Sequence, residues 1–143
     1  MPRFIAMPAA AALLLAFACA SGAAPASAPH AAACVAALKA QEGTLADTLK
    51  AGGSVEGELL DVVRSGIAII GTQYFAGLRE AEARQLLKAA EADFEALPPR
   101  AAAARQAECL REGFALYEHA SSLERSLITT AAQRRIKRLL AAA

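Results

Sequence analysis

Tryptophan is absent from this 143-residue chain, and all aromatics together make up 5% of it. A core built from large aromatic side chains is therefore excluded. The chain has only two histidines and three cysteines, too few to supply a rich set of metal ligands. His119 stands beside Glu118 with no His or Cys at a ligand spacing, and His30 falls in an Ala/Ser/Pro-rich stretch. A structural zinc needs four ligands, so no metal site is expected. There is no Cys-x-x-Cys-His for covalent c-type haem and no Gly-x-Ser-x-Gly nucleophile elbow. No glycine run leads into Gly-Lys-Ser/Thr, so a phosphate-binding loop is excluded too.

A surplus of charge is also lacking, since the formal net value is +1. That value hides an asymmetry. Residues 39–124 hold nine basic and fourteen acidic side chains, which leaves the body at −5. From Arg125 onward there are five basic residues, Arg125, Arg134, Arg135, Lys137 and Arg138, and no acid. An acidic body with a basic tail lacks the broad cationic face that nucleic-acid binding needs, so no nucleic-acid partner is expected.

Alanine dominates what is present. Apolar residues reach 56%, but many of them are Ala, the best helix former. The core is expected to be Leu, Ile and Val, with close helix contacts through Ala and Gly. The preference for Ala and Arg fits a GC-rich bacterial genome.

The first residues follow the secretory order: Arg3, then the apolar run Ile5 to Phe17, then small residues. The run is too short to span a bilayer comfortably, which takes about 20 apolar residues. Two processing readings fit. Ala18-Cys19-Ala20 suits cleavage before Ser21. Alternatively, Ala16-Phe17-Ala18-Cys19 resembles a bacterial lipoprotein signal with Cys19 as the lipidated residue, although Phe17 and Ala16 depart from that pattern. The expected organisation is a signal segment over residues 1–20, a flexible linker over 21–33 and a helical domain over 34–143. Either processing route leaves Cys34 and Cys109. An even count in an oxidising compartment predicts one disulfide between them, and the alternative is two buried free thiols.

Hydrophobic spacing of three and four continues through the rest of the chain. The first helix is expected over residues 32–51, with Leu38, Leu45 and Leu49 on one face and Gly52-Gly53 ending it. Ser54 is expected to cap a second helix over 55–76. Its run Ile67-Ala68-Ile69-Ile70 also fits a buried strand, but the helical period is unbroken and no partner strand is evident. Gly66 and Gly71 weaken that helix, which implies either close approach of a neighbour or a kink at Gly71. A third helix is expected over 79–97, ended by Pro98-Pro99, and a fourth over 101–120. Ser121 with Glu124 reads as a capping box opening a fifth helix, unless the last two are one bent helix. The fold class predicted is thus all-α: an antiparallel bundle of four to five helices in one domain.

Carboxylates are plentiful, but their positions fall on predicted solvent faces, so no catalytic residue and no cofactor is nominated and an enzyme is not expected. Two surfaces stand out. Arg134, Arg135, Lys137 and Arg138 flank Ile136, Leu139 and Leu140 on the last helix. That pattern suits an anionic membrane surface, an acidic partner, or docking against the chain's own acidic body. Gln73 and Tyr74, near Gly71, are candidates to line a groove. The function these features favour is an exported, non-catalytic periplasmic or envelope protein that binds a protein partner, of inhibitor, immunity or accessory type. That last assignment is an analogy of architecture, which does not itself imply function. The alternative is a lipid-anchored or peripheral membrane-surface protein held by Cys19 or by the basic helix.

Overall fold

The computed structural model describes residues 26–142. The expected signal segment, Cys19 and the first part of the expected linker lie outside the described residues. Five helices follow one another: α1 (Ala28–Lys50), α2 (Glu56–Phe75), α3 (Glu80–Glu95), α4 (Pro99–His119) and α5 (Ser122–Ala141). No strand occurs among the described residues, and Ile67 to Ile70 lie inside α2.

Helix α1 begins at Ala28, four residues before the expected start and inside the expected linker. The Ser27 hydroxyl accepts a bond from the His30 amide, and Pro29 sits in the first turn, where its missing N–H removes no helical bond. Ala31 is buried in the core, so packing extends to this first turn. Gly52 ends α1 at φ +92, and the Gly53 amide reaches back to the Thr48 carbonyl at 3.0 Å. Ser54 does not cap α2. Val55 holds that position without a side-chain bond, and Glu56 and Glu58 in the first turn face the helix dipole instead. Helix α3 ends at Glu95, two residues before the expected end, and Pro98 and Pro99 open α4, two residues before its expected start. At α5 the capping box is present: the Glu124 amide donates to the Ser121 hydroxyl at 3.2 Å, and the Ser121 amide to the Glu124 carboxylate at 2.7 Å.

Cross-helix pairs set the directions. Lys39 meets Glu91 at 2.5 Å, Glu42 meets Arg135 at 2.7 Å, and Lys50 donates to the Ala142 carbonyl at 3.0 Å. Rising numbers on α1 therefore pair with rising numbers toward the end of α5. His30 with Glu112, Cys34 with Cys109 and Ala37 with Gln106 run the opposite way, so α4 is antiparallel to α1.

Helices α1 and α2 form the centre. One cluster gathers Cys34, Ala37 and Leu38 of α1, Val62 and Ile69 of α2 and Cys109 of α4, with Phe94 of α3 packed on it. A second joins Leu59 and Val63 of α2 to Ala132 of α5, and Leu45 touches both. Cys34 and Cys109 form the expected disulfide, with Cα atoms 5.1 Å apart.

Gly66 and Gly71 of α2 do not mark a close approach. A Cβ at Gly66 or Gly71 would meet nothing within 4 Å, and α2 continues as helix through both. The close approach is at Gly113 of α4, where a Cβ would lie 2.6 Å from the Ser65 carbonyl oxygen. Beside it, the Arg64 guanidinium lies 4.7 Å from the centre of the Tyr117 ring, and the Tyr117 hydroxyl pairs with that of Thr129 at 3.0 Å. This ties α2, α4 and α5 together.

Candidate functional site

Residues four apart share a helix face. Ala31 and Val35 on α1 and Ala83 and Leu87 on α3 therefore form two stripes, and these line a hollow of about 140 Å³. Ile70 and Tyr74 on α2 close it. A second hollow of about 350 Å³ shares Val35, Ile70 and Leu87 with the first and continues toward α5. The two meet as one trough on the α1–α2 pair, between α3 and α5. Its chemistry changes along its length. The Tyr74 end is almost wholly apolar. The other end is lined by Lys39, Glu42, Arg135 and Arg138.

The two surfaces singled out in the sequence are thus opposite ends of one feature, each only in part. Tyr74 lines the apolar end and is about half exposed, with Phe75 next to it almost fully exposed. Gln73 is buried, and its amide donates to the Ala26 carbonyl at 2.9 Å. It lines the same hollow, and its amide nitrogen ties Ala26 to α2. At the other end, Arg135 and Arg138 reach the trough, while Arg134 and Lys137 are exposed.

Glu42 is 6% exposed. Burial pushes its carboxyl above the usual carboxylate range, against the opposing pull of the Arg135 guanidinium and of Lys39. The Arg135–Glu42 pair is where the basic helix docks on the acidic body. Ile136 packs on the second core cluster, so α5 turns part of its apolar side inward. No helix of the described residues is long and apolar enough to cross a membrane.

A separate polar cluster lies between α1 and α4. His30 Nε2 is 2.8 Å from a Glu112 carboxylate oxygen. The Cys34 sulfur is 3.7 Å from that nitrogen and 3.8 Å from that oxygen. One ligand atom from each of His30, Cys34 and Glu112 lies within 4.8 Å of the others. No such cluster is expected from the sequence, because His30 falls in a stretch that resembles a tether. Had α1 been started at Ser27, the spacings His30-x-x-x-Cys34 and Cys109-x-x-Glu112 would each have placed two donors on one helix face. His119, by contrast, is exposed, and its Nδ1 lies 2.7 Å from the Ala115 carbonyl of its own helix.

Comparison with known proteins finds no matching family model, curated protein or solved structure.

Proposed function

We propose that this chain is a non-catalytic binding protein of the bacterial cell envelope, and that the trough captures an amphipathic segment of a partner protein. The observation that carries this reading is the continuity of the apolar hollow, through Val35, Ile70 and Leu87, with a second whose apolar lining is edged by Lys39, Glu42, Arg135 and Arg138. The apolar hollow, about 140 Å³, matches the size of a cavity of about 150 Å³ that accepts benzene. It suits one large apolar anchor, the kind of contact that dominates binding energy. Lys39 and Arg135 are already paired with Glu91 and Glu42, so it is Arg138 that favours an acidic group further along the same segment, which would supply orientation and speed of encounter. An amphipathic helix laid into a groove has this pattern of needs. Export rests on the order of Arg3, the apolar run to Phe17 and the small residues after it. The protein reading is preferred to a membrane-surface role because Ile136 of the basic helix is already packed on the core.

The test is photo-crosslinking in cells that produce the full chain. The crosslinker is placed at Tyr74, at Ala131 and, as a control, at Ala104, an exposed position on α4. The reading expects one protein captured from both trough positions and not from Ala104. Ala83→Phe, which fills the apolar hollow, and Arg138→Glu, which reverses the charge, should each remove the adduct. The reading fails if adducts at the trough match the Ala104 control, if both substitutions leave them intact, or if only lipid is captured.

A further inference from the structure

The four side chains between α1 and α4 are two matched half-sites. His30 and Cys34 are four apart on α1, and Cys109 and Glu112 are three apart on α4, so each pair projects from one helix face. The half-sites face each other. His30 Nε2 and the Glu112 oxygen are 2.8 Å apart, the Cys34 sulfur lies within 3.8 Å of both, and the Cys109 sulfur is bonded to it. Imidazole, carboxylate and two sulfurs are a donor set of the number and kind that zinc takes in tetrahedral sites. While the sulfurs are joined, they are poor ligands, because the thiolate is the species that binds metal.

We propose that the Cys34–Cys109 disulfide locks a zinc site, and that reduction opens it to a divalent zinc ion held by His30, Cys34, Cys109 and Glu112. A dithiol reductant gives two electrons to the S–S bond and becomes a disulfide itself, leaving two protein thiols. Zinc then binds both sulfurs as thiolates and two protons leave to solvent. With Zn–S bonds of about 2.3 Å, tetrahedral geometry sets the two sulfurs about 3.8 Å apart. Cα atoms 5.1 Å apart allow this by side-chain rotation. The Cys34 and Cys109 side chains are fully buried, while His30 and Glu112 are part exposed, at 43% and 30%. The metal therefore enters from the His30–Glu112 side. A disulfide oxidant takes two electrons from the two thiolates and, with two protons from solvent, becomes a dithiol; the ion leaves and the S–S bond that staples α1 to α4 is restored, so the same two helices are held together in either state by different chemistry. This site lies apart from the trough and does not depend on the binding role proposed for it.

The test is anaerobic titration of the full chain with cobalt(II), followed by displacement with zinc. The disulfide is first reduced with a phosphine, which takes up one oxygen from water, and the phosphine is then removed. The reduced chain is expected to bind one ion, with the visible bands of tetrahedral cobalt and thiolate charge transfer, while the oxidised chain shows neither. Loss of an outer-shell partner alone weakens metal sites about 10- to 100-fold, so His30→Ala and Glu112→Gln should each weaken binding at least about tenfold. Both variants keep the disulfide and can be checked for native helicity in the oxidised form. If the reduced, metal-free chain unfolds, zinc should restore its helical circular dichroism in the parent and not in the His30→Ala/Glu112→Gln double variant. The proposal is overturned if reduction adds no metal binding, if both single variants bind as tightly as the parent, or if zinc fails to refold an unfolded reduced chain.

Discussion

Glu42 is the residue at which burial and charge oppose each other most directly. It is 6% exposed, receives the Arg135 Nε–H at 2.7 Å, and has its carboxyl raised by burial more than Arg135 and Lys39 lower it. A carboxyl with a raised native pKa holds its proton more tightly folded than unfolded. Its contribution to stability is therefore fully present below the ordinary carboxylate range and is lost as pH rises through the raised value. Glu42→Gln keeps the shape and removes the ionisation. Urea titrations at about pH 3 and about pH 7, on either side of the ordinary range, should show the variant gaining on the parent as pH rises. A shift the other way would mean that attraction to Arg135 outweighs burial. The glycines give a second residue-scale expectation. Gly113→Ala would press a methyl against the Ser65 backbone at 2.6 Å and should destabilise by about 1–3 kcal/mol. Gly66→Ala meets open space and should stabilise α2 by up to about 1 kcal/mol. Denaturation midpoints of the two variants should move in opposite directions. Both glycines sit mid-helix in the sequence, and nothing local tells them apart, because the crowding at Gly113 comes from another helix.

Helices are where local signals were clearest. The capping box at Ser121 and Glu124 was legible because its two reciprocal bonds join residues three apart, and it decides that α4 and α5 are separate helices. Ser121→Ala should lower the stability of α5 by about 1 kcal/mol, read as faster amide hydrogen exchange in its first turn. The Ser121 side-chain and backbone bonds lower the Glu124 carboxyl below its ordinary range. That contribution is present above the ordinary range and is lost as pH falls through the lowered value. The penalty of the substitution should shrink accordingly in acid. The start of α1 was missed for an opposite reason. Ser27, Ala28 and Pro29 suit a linker by composition and a helix start by chemistry. Burial of Ala31 against residues distant in sequence favours the helix. The missing Ser54 cap is a similar case, since a polar residue beside a helix start does not oblige its side chain to turn back.

For the molecule as a whole, the disulfide is a covalent constraint between distant parts of the chain. Cys34 and Cys109 are 75 positions apart, and the chain-entropy model puts the stabilisation from closing such a loop at about 4.5 kcal/mol, with about 2–4 kcal/mol typical in practice. Replacing both cysteines by serine should lower stability by an amount in that range in urea unfolding, and metal would not rescue it. The charge division seen in the sequence also acts at this scale. The basic α5 lies against the acidic body through Arg135 and Glu42, and it brings Arg138 to the trough. Exposed ion pairs such as Glu80 with Arg84 on α3 add little to stability.

The sequence by itself determined the class of fold, the approximate helices, the paired cysteines and the acidic–basic division. Each of these depends on contacts within a few positions or on composition, which a single chain displays directly. Tertiary structure alone decided that Gln73, buried, and Tyr74, half exposed, line one hollow, and that Arg135 and Arg138 share a trough with them. It also placed His30 beside Glu112, 82 positions away. Those outcomes follow from how helices rotate and slide to fill one interior, and side chains far apart in the chain settle that together.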